Sequence, residues 1–169
     1  MSISEMPSLR SLLVGFSFDP VATETQTSVL DLPDAALLHR DPQAEQSRLN
    51  TRGFRVGALR SWWTLDEPQE LVARIVLHRM GDPTAAALGV ADSWSEVHAG
   101  NARIHRRDAT TVALVSEDDA EGTTFWTALA FGRVDEIVVT AVGCASNADD
   151  ATRSCSALVD AQMARLKAP

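Results

Sequence analysis

The stretch that decides the fold reads Glu136-Ile-Val-Val-Thr-Ala-Val-Gly-Cys144 and leads, through a polar turn, into a helical pattern that carries Cys155. A continuous apolar run rich in β-branched residues is typical of a buried strand. Ser146 or Asn147 can cap the helix that follows, and acidic residues suit its first turn. We therefore predict a last strand joined directly to a C-terminal helix over residues 147–166.

Two cysteines bracket this predicted joint. Their spacing of eleven residues lets the chain leave the strand, turn and reach the third turn of the helix. A disulfide between Cys144 and Cys155 would staple the two elements and contribute roughly 3 kcal/mol by restricting the unfolded chain. Buried free thiols are the first alternative, and a catalytic or metal-binding role is the second, although no Cys-x-x-Cys motif supports it. We expect the disulfide, which indicates an oxidising compartment.

The beginning of the chain bears on the same question. It contains Glu5 and only a short apolar patch at residues 12–14, so it lacks the basic region and the longer apolar core of a signal peptide. A disulfide would then require that an export signal has been removed and that Met1 was supplied for expression. If Met1 is the native start, we expect a cytoplasmic chain with free thiols. The sequence contains no run of eighteen apolar residues, so it predicts no transmembrane segment.

Length and charge restrict the possible classes of protein. A chain of 169 residues can bury a substantial core without cross-links. We predict a single domain over 1–169, with a helix and loop segment over 1–28 and an α+β core over 29–167. The net charge of -8 argues against binding to nucleic-acid phosphates. The expected partners are therefore small molecules or proteins.

Local patterns supply the remaining elements. Short connections between the later strands require antiparallel neighbours. Residues 17–28 favour a loop or an extended edge. The sequence predicts an α+β fold with an antiparallel sheet of about six strands, helices packed mainly on one face, and the C-terminal helix stapled to the last strand. The predicted elements before that helix are helices over 9–15, 31–40 and 43–51, strands over 54–63 and 71–79, a helix over 82–97, and strands over 103–107, 111–116, 124–133 and 136–143.

This order of elements resembles a known group of proteins. The resemblance rests on the strand and alanine-rich helix over 71–97, on Ile137-Val-Val-Thr-Ala-Val-Gly-Cys144, and on the ending Ala161-Gln-Met-Ala-Arg-Leu166. These stretches resemble extracytoplasmic domains of actinobacterial lipoproteins and of the PknH-type kinase sensor. The resemblance implies an exported, often membrane-tethered domain that senses or binds ligands, with no enzymatic activity. The sensor domain has more than two cysteines, so a second disulfide of that domain has no counterpart in this chain.

Candidate ligand contacts lie on two predicted strands. Trp62 and Trp63 are adjacent, so a regular strand directs them to opposite faces, one toward the helices and one toward the uncovered face. An exposed tryptophan there would suit a ligand groove or a partner surface. We predict a pocket between the sheet and the N-terminal helices, lined by Trp62 or Trp63, with Arg60, Arg74 or His78 as polar contacts.

Other chemistry has little support in the sequence. Four histidines show no metal-site spacing, and nucleophile-elbow, P-loop and dinucleotide-binding motifs are absent. We predict no catalytic residue, metal or cofactor. The leading hypothesis is a non-enzymatic extracytoplasmic ligand-binding or sensor-like domain of the bacterial cell envelope, secreted or lipid-anchored, with a small hydrophobic or anionic ligand. The alternative is a structural or protein-interaction module of an envelope or secretion assembly, with an envelope protein as partner.

Overall fold

The computed structural model describes residues 8–17, 23–65, 70–100, 102–107, 110–118 and 124–168. None of the helices in these ranges combines the length and apolar character needed to cross a membrane. The elements are α1 (Leu9–Leu12), β1 (Thr23–Leu30), α2 (Leu32–Ala36), α3 (Pro42–Thr51), β2 (Val56–Thr64), β3 (Leu71–Arg79), α4 (Pro83–Ala99), β4 (Arg103–Arg107), β5 (Thr110–Asp118), β6 (Thr124–Val134), β7 (Ile137–Ala145) and α5 (Ala148–Lys167).

The strands form one seven-stranded antiparallel sheet in the order β1-β2-β3-β7-β6-β5-β4. Most neighbours in the sheet are also neighbours in the sequence. The exception is the central pair, β3 and β7, where Ala73 lies opposite Gly143 and Arg79 lies opposite Ile137. The predicted α+β class and the antiparallel pairing are confirmed.

The strand β1 raises the number of strands from the predicted six to seven. It lies at the edge of the sheet and pairs with β2 from Thr23 opposite Thr64 to Leu30 opposite Gly57. Leu30 is its one fully buried residue, so the strand carries no clear alternation of apolar and polar residues. A polar edge strand of this kind resists pairing with other chains. Of the two possibilities predicted for residues 17–28, the extended edge is correct for residues 23–28, and residues 18–22 lie outside the described ranges.

Capping side chains set the helix starts. Asp31, Asp82 and Asn147 each accept the backbone N–H of the residue three positions later, at 2.9 Å. Pro83 occupies the first position of α4, where a backbone N–H would have no partner in the helix. The predicted starts of these helices are confirmed, while α2 ends earlier than expected, at Ala36.

Helices cover both faces of the sheet rather than mainly one. The face covered by α5 and α1, called here the α5 face, carries Ile75, Leu77 and Val139. The opposite face, called the α4 face, carries Val76 and Val138, which pack with residues of α3 and α4. The apolar stripe of a helix indicates that the helix packs on the sheet. Because both faces of these central strands are apolar, the stripe does not indicate which face the helix covers.

The helix α5 approaches the central strand β7 very closely at Gly143. A Cβ atom at this position would lie 2.6 Å from the carbonyl oxygen of Ala151 and 2.8 Å from the backbone nitrogen of Cys155. Both distances are shorter than van der Waals contact, so only glycine permits this approach. The predicted packing of the C-terminal helix on the last strand is confirmed.

The predicted disulfide is wrong, because Cys144 and Cys155 are both free thiols. Cys144 lies on the α4 face, with its Sγ 3.9 Å from Thr127 Oγ1. Cys155 extends from α5 to the other face and donates to the carbonyl oxygen of Ala141 at 3.4 Å. Successive strand residues point to opposite faces, so the backbone of β7 separates the two thiols. Burial raises the pKa of both, that of Cys155 to about 12, and both are protonated at neutral pH.

The N-terminal segment, residues 9–16, is held by side chains of the core. Gln162 is fully buried on α5. Its Nε2 donates to the carbonyl oxygen of Leu12 at 2.9 Å, and its Oε1 accepts the backbone N–H of Val14 at 2.9 Å. One buried amide thus pairs a carbonyl oxygen at the end of α1 and a backbone N–H in the residues that follow this helix.

Candidate ligand-binding cavity

A cavity of about 240 Å³ lies on the α4 face of the sheet. Its floor consists of β3, β7 and β6, and it is covered by α4 and by the connection between α2 and α3. A few polar groups are set among apolar ones, as is usual for small-molecule sites. The cavity is lined by Leu38, His39, Arg40, Arg74, Val76, His78, Ser93, Glu96, Val97, Leu129, Phe131, Thr140 and Val142.

Alternation along the two central strands places the residues of the floor. Arg74, Val76 and His78 share one face of β3 because they are two residues apart. On β7, Val142 lies opposite Arg74, and Thr140 lies opposite Val76. The cavity therefore spans the junction between two strands that are far apart in the sequence.

His78 is buried at one end of this floor. This residue is only 8% exposed, and its Nε2 has no hydrogen-bond partner among the described residues. Burial, with a smaller effect from His39, lowers the pKa of His78 to about 4. The imidazole is therefore neutral at physiological pH, and a ring nitrogen without a partner costs about 1–3 kcal/mol of desolvation.

Arg74 supplies a positive charge elsewhere on the floor. Its Nε donates to Ser61 Oγ at 3.1 Å. Within the described ranges, no carboxylate forms an ion pair with this guanidinium. Burial lowers the pKa of Arg74 from its ordinary value, but an arginine keeps its charge in proteins. A half-buried, uncompensated guanidinium is suited to pair with an anion.

Arg48 is shared by the two acidic groups on the α3 and α4 side of the cavity. Glu96 is paired with Arg48. Arg48 Nη1 also lies 3.2 Å from Glu45 Oε2, and His39 Nε2 lies 3.6 Å from Glu45 Oε1. These contacts join α3 to α4 and to the connection before α3, so they stabilise the cover of the cavity.

Two of the five residues predicted as ligand contacts, Arg74 and His78, line this cavity. Trp63, near the end of β2, does not line the cavity. Its indole Nε1 is buried and has no partner in the described part of the chain.

The other two predicted contacts lie on the α5 face, where they hold the N-terminal segment. Trp62 is fully buried, and its Nε1 donates to the carbonyl oxygen of Phe16 at 3.1 Å. Arg60 Nη1 donates to the carbonyl oxygen of Val14 at 2.6 Å. That the two tryptophans point to opposite faces stays a prediction, because the pairing of β2 with β3 is irregular between them.

Sequence reasoning missed the residues that β6 and β7 contribute. Phe131 lies on the α4 face, with its ring centroid 5.0 Å from that of Trp94 on α4. Thr140 is the one polar residue within the apolar run Ile137-Val-Val-Thr-Ala-Val142. A hydroxyl in a central strand was an available signal, because such a group needs a polar partner on its face.

We expect the free energy of unfolding to fall as the pH is lowered from about 7 to about 4. The folded pKa of His78 lies below its ordinary value of 6.5. Between these values the unfolded chain binds a proton that the folded protein excludes, which costs at most about 3 kcal/mol of stability. Urea denaturation of wild type and His78→Leu at both pH values measures this difference. The exposed His98→Gln variant is the control, and an undiminished acid loss in His78→Leu would assign the effect to other groups.

Residues of the described ranges include no cluster of three or more histidine, cysteine, aspartate or glutamate side chains placed to hold a metal ion. The cysteine thiols are protonated, and Cys144 contacts a threonine hydroxyl rather than a base. The polar groups of the cavity can therefore act by hydrogen bonding and charge pairing.

Comparisons with known proteins identify the architecture. No family model matches the sequence, and no curated protein matches it. Among solved structures, the extracellular domain of PknH from Mycobacterium tuberculosis has a similar fold, with a TM-score of 0.59, 12% identical residues, and coverage of 91% of this chain and 94% of that one. The resemblance drawn from the sequence is confirmed at the level of the fold.

Proposed function

We propose that this protein is a non-enzymatic ligand-binding or sensor-like domain that acts outside the cytoplasm, in the bacterial cell envelope. The observation that carries the proposal is a cavity lined both by a buried imidazole nitrogen and by an arginine charge, neither of which has a compensating partner among the described residues. Proteins pair nearly all their buried polar groups, so an unpaired group in a cavity is a natural site for a ligand atom.

The size of the cavity supports a small ligand. A volume of about 240 Å³ is just below the range usual for drug-sized molecules. The apolar walls supply binding free energy by burial, and the few polar groups determine the orientation of the ligand.

The protein-interaction alternative requires a broad apolar surface on an uncovered face of the sheet. The N-terminal segment contacts Trp62 on one face, and α4 lies over the other face. The exposed large apolar side chains of the described residues lie in five different stretches of the chain: Val29, Leu37, Leu65, Leu88 and Ile104. The geometry favours a ligand over a flat partner surface.

The location outside the cytoplasm is supported by the fold shared with an extracellular domain. The cysteines give no support, because the two thiols are not paired. Protease digestion of intact cells tests this location. Degradation of the endogenous protein without lysis is expected, and complete protection would place the domain in the cytoplasm.

Filling the cavity should abolish small-molecule binding. Val142→Phe places a larger side chain on the floor beside Arg74, and we expect fragments that bind the wild type to bind at least about tenfold more weakly, because their space is occupied. Fragment screening by NMR, with amide shifts mapped onto the cavity, measures the effect.

The control for this experiment is Val29→Phe, an equal change at an exposed position of β1. It should bind fragments as the wild type does. Fragments that bind folded Val142→Phe with unchanged affinity, or that map only to other surfaces, would contradict a ligand site in this cavity.

A further inference from the structure

We infer that the cavity binds a small amphipathic carboxylate. In this arrangement the carboxylate pairs with Arg74, the apolar body lies along the β6 and β7 floor, and a hydrogen-bond donor at the far end bonds to Nε2 of His78. The inference rests on the proposed function, since it names the class of ligand for the same site.

The anionic end of the ligand follows from Arg74. Among the described residues, the guanidinium donates only through Nε, to the hydroxyl of Ser61, so its terminal nitrogens can form the paired bonds that a carboxylate accepts. The nearby Cys144 thiol is protonated and does not supply the missing negative charge. Glu96 also lines the cavity, but its charge is paired with Arg48. Arg40, a second cation, lies among the lining residues as well, so the described lining carries two arginine charges and one carboxylate charge.

The apolar body follows from the side chains between the two polar ends. Val76 separates Arg74 from His78 on β3, and Val142 and Leu129 extend the same surface across β7 and β6. A fully charged or strongly hydrated ligand would lose its water against these groups without compensation. A hydrocarbon segment instead gains free energy there through burial.

The far end of the ligand follows from His78. Its neutral ring carries one nitrogen that has no partner in the described part of the chain, and that nitrogen can accept a hydrogen bond from a hydroxyl or amide group. Arg74 and His78 are four residues apart on one strand, so their Cα atoms are roughly 13 Å apart. A ligand that meets both groups therefore needs a body of several carbons, and acetate or formate is too short.

Three probes of equal chain length test this assignment: octanoate, octanamide and omega-hydroxyoctanoate. Isothermal titration of the wild type should show octanoate binding at least about tenfold more tightly than octanamide, because only the acid is charged. The hydroxy acid should bind at least about threefold more tightly than octanoate, because it also pairs His78.

Variants assign each preference to its residue. Arg74→Met should remove the preference for the acid over the amide, and His78→Leu should remove the gain from the terminal hydroxyl. Arg153→Met, an exposed change on α5, should leave both ratios as they are in the wild type.

The outcomes separate the two proposals. Equal affinity for octanoate and octanamide in the wild type overturns the inference and leaves a ligand-binding cavity standing. Failure of all three probes also overturns it, and if the fragment screen is empty as well, the proposed function falls with it. Because the decisive comparison uses the wild type, it does not depend on the folding of a variant.

Discussion

Gly143→Ala should lower the free energy of unfolding by at least about 3 kcal/mol, and Gly143→Val should prevent folding. The added Cβ would meet the carbonyl oxygen of Ala151 at 2.6 Å and the backbone nitrogen of Cys155 at 2.8 Å. These atoms belong to the backbone of α5, so no side-chain rotation relieves the overlap. The helix must move away from β7 and uncover the core beneath it, which places the cost at the upper end of overpacking effects. Urea denaturation followed by tryptophan fluorescence gives the value.

The matched control is Gly89→Ala in the interior of α4. There the nearest atom to the new Cβ would be Cγ2 of Val138, at 3.4 Å, and that side chain can adjust. We expect a gain of about 0.5–1 kcal/mol, because alanine favours the helix more than glycine does. A Gly143→Ala protein within about 1 kcal/mol of the wild type would show that α5 does not lie against β7 as closely as described.

Gln162→Leu should cost about 4 kcal/mol of stability. The leucine would leave the backbone N–H of Val14 and the carbonyl oxygen of Leu12 without their partner, and each buried unpaired group costs about 1–3 kcal/mol. We expect the N-terminal segment to detach and to expose Trp62, which this segment covers. Urea denaturation gives the loss, and a red shift of tryptophan fluorescence reports the exposure.

Gln46→Leu, the same change at an exposed position of α3, is the control and should alter stability by less than about 0.5 kcal/mol. Hydrogen exchange distinguishes the cause. In Gln162→Leu the amide of Val14 should exchange much faster while the amides of β7 remain protected. Unchanged protection at Val14 would mean that other contacts hold the segment.

Much of the secondary structure could be predicted because its signals are local. Asp31, Asp82 and Asn147 cap helices through their own side chains, and the tight connections determine which strands pair as hairpins. The edge strand β1 was uncertain because strands are recognised by alternation, and this strand has water on most of its side chains.

The relative position of the cysteines could not be predicted because β7 is buried on both faces. In such a strand apolar residues occupy both faces, so the sequence does not show which face each side chain occupies. Cys144 falls on the α4 face, and a shift by one residue would have placed it on the face of Cys155. Gly143 carried a usable signal, since a glycine within a buried strand marks a close approach of another element.

The site could be predicted only where one strand determined it. Arg74 and His78 lie four residues apart on β3, so any regular strand directs them to the same side. Trp62 and Arg60 are residue types that suit a ligand site as well as Arg74 and His78 do. Both, however, donate hydrogen bonds to carbonyl oxygens of the N-terminal segment. Pairing of β3 with β7 adds Thr140 and Val142 to the floor, and that pairing joins distant parts of the sequence.

The central position of the β3 and β7 pair also has a consequence for the order of assembly. The β2–β3 hairpin and the hairpins from β4 to β7 each close over short loops, whereas bringing Ala73 beside Gly143 closes a long one and costs more chain entropy. The floor of the cavity thus forms only when β3 pairs with β7, and we expect this pairing to be slow because it closes the longest of these loops. A molecule that spans Arg74 and Val142 adds its binding free energy at this join between the two halves of the sheet, so occupancy and completion of the fold are thermodynamically linked.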